Sequence, residues 1–417
     1  MAIRMRVMRR PPTRSHRRRK FLRPLLEKLE ERLLLASDFA ITDIVPVGGA
    51  GTPFDLLEIQ FSRPVRDGTF TLDDVQFTNG GPLAALGLNK LTDDRYQLDA
   101  TGLTGIDTYI LSLGPDILDG DGDALNQDGD ATGGETPDDQ FTITLVSEPL
   151  LIAADDQSMD GNNLLLFGHQ ATIDGQHQFA NVSILGGAAV THSATTATDA
   201  FEIAWDISGR LLVDGTSSID VTGRGVQGGG ALGAGGSHAG LGGGVTIDDS
   251  HGDLSDPRDA GSGGAGSGGG SGGGVVRITT SSAQIDGTIR ADGADGIDFG
   301  LAQVGGGGSG GSVLLDVSSL SGGGAISADG GDGSFRAGTG GGGGGRVAVE
   351  YGTSTFDVDD ITAHAGGDSG ADPAGGVGTV FLKAAGTAGT LRLVTHGTPT
   401  GHPWAKQVTR NWLWESC

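Results

Sequence analysis

Cysteine is nearly missing from this chain: Cys417 is the single one in 417 residues, so neither an internal disulfide nor a cysteine-ligated zinc site can form. Aromatic residues supply only 5%, too few to fill one large globular core, which argues for strands and turns. No stretch reaches the roughly 18 consecutive apolar residues of a membrane-crossing helix, so no transmembrane segment is expected. Basic residues are scarce beyond the start. The first 36 residues hold 12 Lys or Arg against Glu27, Glu30 and Glu31, which leaves 15 basic and 49 acidic residues, a net −34, in the rest. Such a body repels nucleic-acid phosphates and attracts cations, so no nucleic-acid partner is expected.

Catalytic signatures are equally thin. No pair of the nine histidines has the H-E-x-x-H spacing of a zinc hydrolase, and no Gly-Lys-Ser or Gly-Lys-Thr phosphate loop occurs. The strings 269–273 and 307–311 satisfy G-x-S-x-G, but they lie in glycine-dense sequence outside a strand-turn-helix context, where chance produces them.

What is present falls into five segments: 1–37, 38–147, 148–200, 201–390 and 391–417. In the first, Arg17, Arg18, Arg19 and Lys20 precede Leu22, Leu25, Leu26, Leu29 and Leu33, whose spacing of three and four predicts a short amphipathic N-terminal helix. A basic cluster before a leucine-bearing helix has the arrangement of an export or sorting segment, although its apolar run is short for a secretory signal. The string Leu29-Glu30-Glu31-Arg32-Leu33-Leu34-Leu35-Ala36 resembles the LEPR-xLL segment of large exported proteins from planctomycete-type bacteria, with Glu31 where that family has proline. The resemblance implies a secreted or cell-surface location.

Between 38 and 147, strands are predicted at 39–45, 56–61, 69–77, 95–98, 108–113 and 140–145. Alternation at Leu57, Ile59, Phe61 and at Phe141, Ile143, Leu145 puts one face inward. Six or seven short strands in about 100 residues fit an immunoglobulin-like β-sandwich. The segment also resembles bacterial Ig-like surface modules, which implies a spacer or binding role. Its sharpest chemical feature is an acidic loop in which Asp119, Asp121, Asp123, Asn126, Asp128, Asp130 and Glu135 are the candidate metal ligands. Carboxylates at alternate positions with glycine between them can converge on one hard cation, so calcium is the expected cofactor. Ala124 and Asp130 depart from the EF-hand pattern, and a solvated acidic loop remains the alternative.

Residues 221–380 carry 53 of the 79 glycines without a Gly-X-Y period, which excludes collagen. Inside this glycine a unit Gly-x-Val-x-apolar recurs, placing Val276, Val313, Val347 and Val380 at steps of 37, 34 and 33. A second unit places Ile219, Ile289, Ile326 and Ile361 at steps of 70, 37 and 35, and the long step is expected to hide one degenerate repeat near 242–258. A repeat so poor in apolar residues buries nothing alone and must stack on its neighbours. The expectation is therefore all-β: the sandwich, a transitional β segment, then a glycine-rich parallel β-helix or β-solenoid. Glycine is expected at the corners, where positive φ is needed, with the longest tract, 261–274, mobile. The repeats resemble those of large bacterial adhesin-like surface proteins.

These readings predict a non-enzymatic secreted or surface structural and adhesion protein, with a matrix or cell-surface polysaccharide or protein as partner. The alternative is a carbohydrate-active or glycan-binding β-helix in which Asp286, Arg290, Asp292, Asp316 and Asp329 share a face. Three of four tryptophans crowd into the tail 391–417 beside Cys417; the tail is expected to be altered or unrelated to the repeats, and no function is assigned to it.

Overall fold

A computed structural model describes residues 38–47, 56–78, 87–100, 108–146, 149–229, 233–244, 249–298, 304–334, 339–367 and 374–393. The predicted N-terminal helix and export segment, and nearly all of the atypical tail, lie outside these residues. The described chain is all-β, with two short 3-10 turns and no α-helix.

The first seven strands are β1 (Ile41–Pro46), β2 (Leu56–Phe61), β3 (Val75–Thr78), β4 (Gly87–Lys90), β5 (Arg95–Asp99), β6 (Thr108–Leu113) and β7 (Phe141–Val146). β1-β2-β5-β4 form one antiparallel sheet, and β3-β6-β7 pair antiparallel in another. The predicted strand at 69–77 is shorter in fact. Thr71 and Asp74 close a capping box, each accepting from the other's end of the turn, and this ties Leu72–Asp74 into a 3-10 turn before β3 begins. Leu57, Ile59 and Phe61 from one sheet and Leu111, Leu113 and Leu145 from the other share one buried core.

The rest of the chain alternates between two larger sheets. Its strands are β8 (Leu150–Ile152), β9 (Asn163–Phe167), β10 (Gln170–Ile173), β11 (Gly175–Phe179), β12 (Val182–Leu185), β13 (Ala189–Thr191), β14 (Ile203–Val213), β15 (Ser218–Asp220), β16 (Val275–Ile285), β17 (Thr288–Arg290), β18 (Ser312–Ser321), β19 (Ala325–Ser327), β20 (Arg346–Ser354), β21 (Ile361–Thr362), β22 (Thr379–Ala384) and β23 (Thr390–Arg392). The short strands β8-β10-β13-β15-β17-β19-β21 make a seven-stranded sheet, and the long ones continue from β7 as β9-β12-β14-β16-β18-β20-β22. All these pairings are parallel until β23 closes the long sheet antiparallel to β22.

Register is what makes the apolar pattern work. Ile203, Val276, Val313, Val347 and Val380 are successive partners on the long sheet. Val190, Ile219, Ile289, Ile326 and Ile361 are successive partners on the short one. All sit in a single buried core, where each such side chain contributes about 1.5–3 kcal/mol. Ile219 pairs directly with Ile289, so no further strand of that sheet lies within the step of 70. The intervening residues are spent on a glycine-rich excursion instead.

That excursion corrects the expectation for glycine. In the segment 306–311 successive amides point three ways. Gly306 and Ser309 donate to Ala265 and Ser262, Gly307 and Gly310 to Gly340 and Gly343, and Gly308 and Gly311 to Ala294 and Ala291, at 2.7–3.0 Å. A repeat of three with every bond made to a neighbouring chain is the behaviour of a polyproline-II-type helix. Glycine-rich segments far apart in the sequence pack side by side in this way. The tract 261–274, expected to be mobile, is bonded within it: Gly261 and Gly264 donate to Gly273 and Gly270, while Gly270 and Gly273 donate to Gly306 and Ser309. Few of these glycines have positive φ. Their role is to lack a side chain, since a Cβ on Gly308 or Gly342 would collide with the backbone carbonyl of Ser271 or Gly308. The bundle is a core built of backbone, its polar groups satisfied by one another.

His238 is buried in this bundle at 0% exposure. Its Nδ1 donates to the Gly310 carbonyl at 2.9 Å, since a carbonyl can only accept. Nε2 is therefore the unprotonated nitrogen, and it has no partner. Burial first, then His251 and Arg346, pull the imidazole down to about 4. His192 is held in the same tautomer, with Nδ1 donating to Ser193 and Nε2 accepting from Val275 N–H. Burial lowers it too.

Candidate binding trough and acidic loop

The acidic loop is organised by its own carboxylates. Asp119 is 1% exposed; one oxygen accepts from the amides of Asp121, Gly122 and Asp123 at 2.9–3.0 Å, and the other meets Arg63 at 2.6 Å. Asn126 accepts from Gly129 N and donates to the Asp130 carbonyl. Asp128 accepts from Asp130 N, and Asp130 from Thr132 N. The buried Asp139 accepts from Gln127 N and Glu135 N. These are turn-stabilising bonds in which a short acid replaces a backbone acceptor. Desolvation, followed by the charges of Asp130, Asp139, Asp128 and Asp138, pushes the Glu135 carboxyl up. Among the described residues no three His, Cys, Asp or Glu side chains are grouped to hold a metal ion.

The five residues of the alternative constellation do not share one site. Asp286 accepts from Gly323 N, 37 residues further along the chain. Asp292 accepts from Asp329 N and pairs with Arg290. Asp329 in turn accepts from His364 N and the Thr362 hydroxyl. Burial raises Asp329 and the bonds from His364 outweigh it, so its carboxyl lies below the usual range. Asp295 and Asp332 make the same step onto Asp332 N and Gly367 N. Each of these acids ties its own turn to the turn that follows the next strand of the same sheet. Replacing Asp329 with Ala leaves the His364 amide and the Thr362 hydroxyl without their acceptor, and a loss of roughly 1–3 kcal/mol in chemical unfolding is expected.

Asp316 alone of the five faces an open trough. This cavity of about 410 Å³ crosses five parallel strands, and its floor includes Asp206, Thr279, Asp316, Glu350 and Lys383. Those five are successive register partners on β14, β16, β18, β20 and β22, so they stand at the roughly 4.8 Å strand spacing. Ser208, Ser281 and Ser318 line the trough beside them. Near the trough the pairing of β14 with β16 shifts register between Ile207 and Arg210. Hydroxyl bonds from Thr280 to Gly209 and from Ser281 to Ser208 knit the two strands together there. A second cavity of about 340 Å³ shares Asp206 and Thr279 and prolongs the trough toward Arg258 and Arg277. Lys383 binds both Glu350 oxygens at 3.1 Å. The carboxylates of Asp206 and Asp316 have no hydrogen-bond or ion-pair partner among the described residues.

The row was not found from sequence, yet a signal existed. Thr279, Asp316, Glu350 and Lys383 each follow directly the apolar residue that ends the Gly-x-Val-x-apolar unit. Position six of the repeat points outward and is polar every time. No protein-family model, no curated protein and no solved structure matches the chain.

Proposed function

We propose that this chain is an exported, non-enzymatic surface protein in which an Ig-like β-sandwich leads into a parallel β-solenoid, and that the solenoid is a stiff adhesive rod whose trough holds a surface or matrix polysaccharide. What carries the reading is the outward row from Asp206 to Lys383, which offers a polymer one polar contact per strand along a surface that the buried ladders keep rigid. The basic segment 1–37 supplies export: its deletion should leave the protein inside the cell on fractionation, and unchanged secretion would refute that role. For the rod, binding to a panel of immobilised polysaccharides should be saturable and lost when Thr279 and Ser281 are both replaced by bulky Phe. Binding indifferent to that change would remove the trough from the proposal.

Calcium belongs to the same reading, with the exposed Asp121 and Asp123, Asp128, Asp130, Glu135 and loop carbonyls as its oxygen donors. Calorimetric titration of the whole chain with CaCl₂ should give binding heat, and the melting temperature should rise. Occupancy at a hundred times Kd corresponds to about 2.7 kcal/mol. Absence of both heat and shift would leave the loop as a purely hydrogen-bonded turn array. A carbohydrate-active enzyme is favoured by one observation, the adjacent placement of Asp316 and Glu350. It requires release of reducing ends from a bound polysaccharide, abolished by Asp316→Asn.

A further inference from the structure

We infer that the polymer suited to this trough is a cationic amino-sugar polysaccharide, a chain of β-linked sugars bearing free amines, laid across the strands. The inference rests on the glycan reading of the trough and narrows it. Three observations lead there.

The first is spacing. Trough positions repeat once per strand, at roughly 4.8 Å, close to the advance of one sugar in an extended β-linked chain. A peptide crossing the same strands advances roughly 3.4 Å per residue and falls out of step after two or three contacts.

The second is the unsatisfied charge. Glu350 is neutralised by Lys383 within the trough. Asp206 and Asp316 are not neutralised by anything described, and they stand two strands apart, about 10 Å. In a flat-ribbon polysaccharide, alternate sugars present the same edge, so amines on every second sugar meet these two carboxylates in charge-assisted hydrogen bonds. The hydroxyls of Ser208, Ser281 and Ser318 face the remaining sugar oxygens.

The third is exclusion. The body around the trough carries a net −34, which disfavours uronate, sulfated or phosphorylated polymers at long range.

The test is calorimetric titration of the full chain with four probes: a glucosamine hexamer with free amines, its N-acetylated form, a β-linked glucose hexamer and hexalysine. The free-amine hexamer should bind tightest. The double substitution Asp206→Asn with Asp316→Asn removes two exposed charges without touching the core, and it should weaken that hexamer about tenfold or more, and by a larger factor than it weakens the glucose hexamer. Equal binding of the free-amine and acetylated forms overturns the inference and leaves the polysaccharide trough standing. Failure of every sugar to bind overturns both. Hexalysine binding with the same dependence on Asp206 and Asp316 would assign the trough to a basic peptide. Undiminished binding to the double variant would place the attraction elsewhere on the acidic body, which also overturns it.

Discussion

Gly342→Ala should destabilise the protein by roughly 3 kcal/mol or more, while Gly323→Ala should leave stability unchanged or raise it by about 0.4–1 kcal/mol. The two substitutions add the same methyl group. At Gly342 the methyl would meet the Gly308 carbonyl and the amide of Ser309, and both neighbours are fixed by their own inter-segment bonds. Neither can yield without breaking the pattern that Gly308 and Ser309 make with Ala294 and Ser262. At Gly323 nothing lies within 4 Å, and the backbone is not in the left-handed region; the added Cβ simply restricts the unfolded chain. Equilibrium unfolding in urea on the pair decides the matter. Similar midpoints for both variants would mean that the glycine segments do not pack as a solid.

Acid should weaken the fold between pH 6.5 and 4, in an amount traceable to His238. Its folded value is about 4 against 6.5 in an open environment. Above 6.5 the imidazole is neutral in both states and contributes its full share. As pH falls below 6.5 the unfolded chain takes up a proton that the folded one refuses, so stability declines until the folded value is reached. The difference corresponds to about 3 kcal/mol. His192, also lowered, adds to the same limb because protonating its Nε2 would set an N–H against the Val275 amide. The groups facing His238 are the Gly310 carbonyl, His251, Arg346 and Asp259; the carbonyl and Asp259 favour its charge, while burial, His251 and Arg346 oppose it and prevail. Unfolding free energy measured at intervals from pH 7 to 4 should show the slope, and His238→Asn should flatten it. A slope identical in that variant would place the acid response elsewhere.

The sequence carried the apolar ladders well, because a buried residue per strand at steps of 33–37 is a one-dimensional signal. The in-register partnership of Val276, Val313, Val347 and Val380 follows directly from it. Glycine was another matter. A glycine in a linker, at a left-handed turn and in close backbone packing are the same letter, and only bonds such as Gly307 to Gly340 distinguish the third case. For the same reason the step from Ile219 to Ile289 looked like a missing coil. The acidic loop was visible as a loop, but nothing in the spacing said that Asp119 and Asp139 would turn inward to hold amides. Among the candidate acids, Asp292 lies in a turn and accepts from Asp329 N, whereas Asp316 lies within β18 and faces outward. From the sequence alone Asp292 and Asp316 looked alike.

The long sheet does not stop where the antiparallel strands give way to parallel ones: β7 is bonded to β6 on one side and to β9 on the other. The first seven strands and the parallel strands after them are therefore joined by an unbroken backbone ladder. Leu165 and Phe167 of β9 also lie in the same buried core as Leu111 and Leu145, so side-chain packing crosses the junction together with the hydrogen bonds. The two parts are thus expected to lose structure together, in one cooperative transition rather than two.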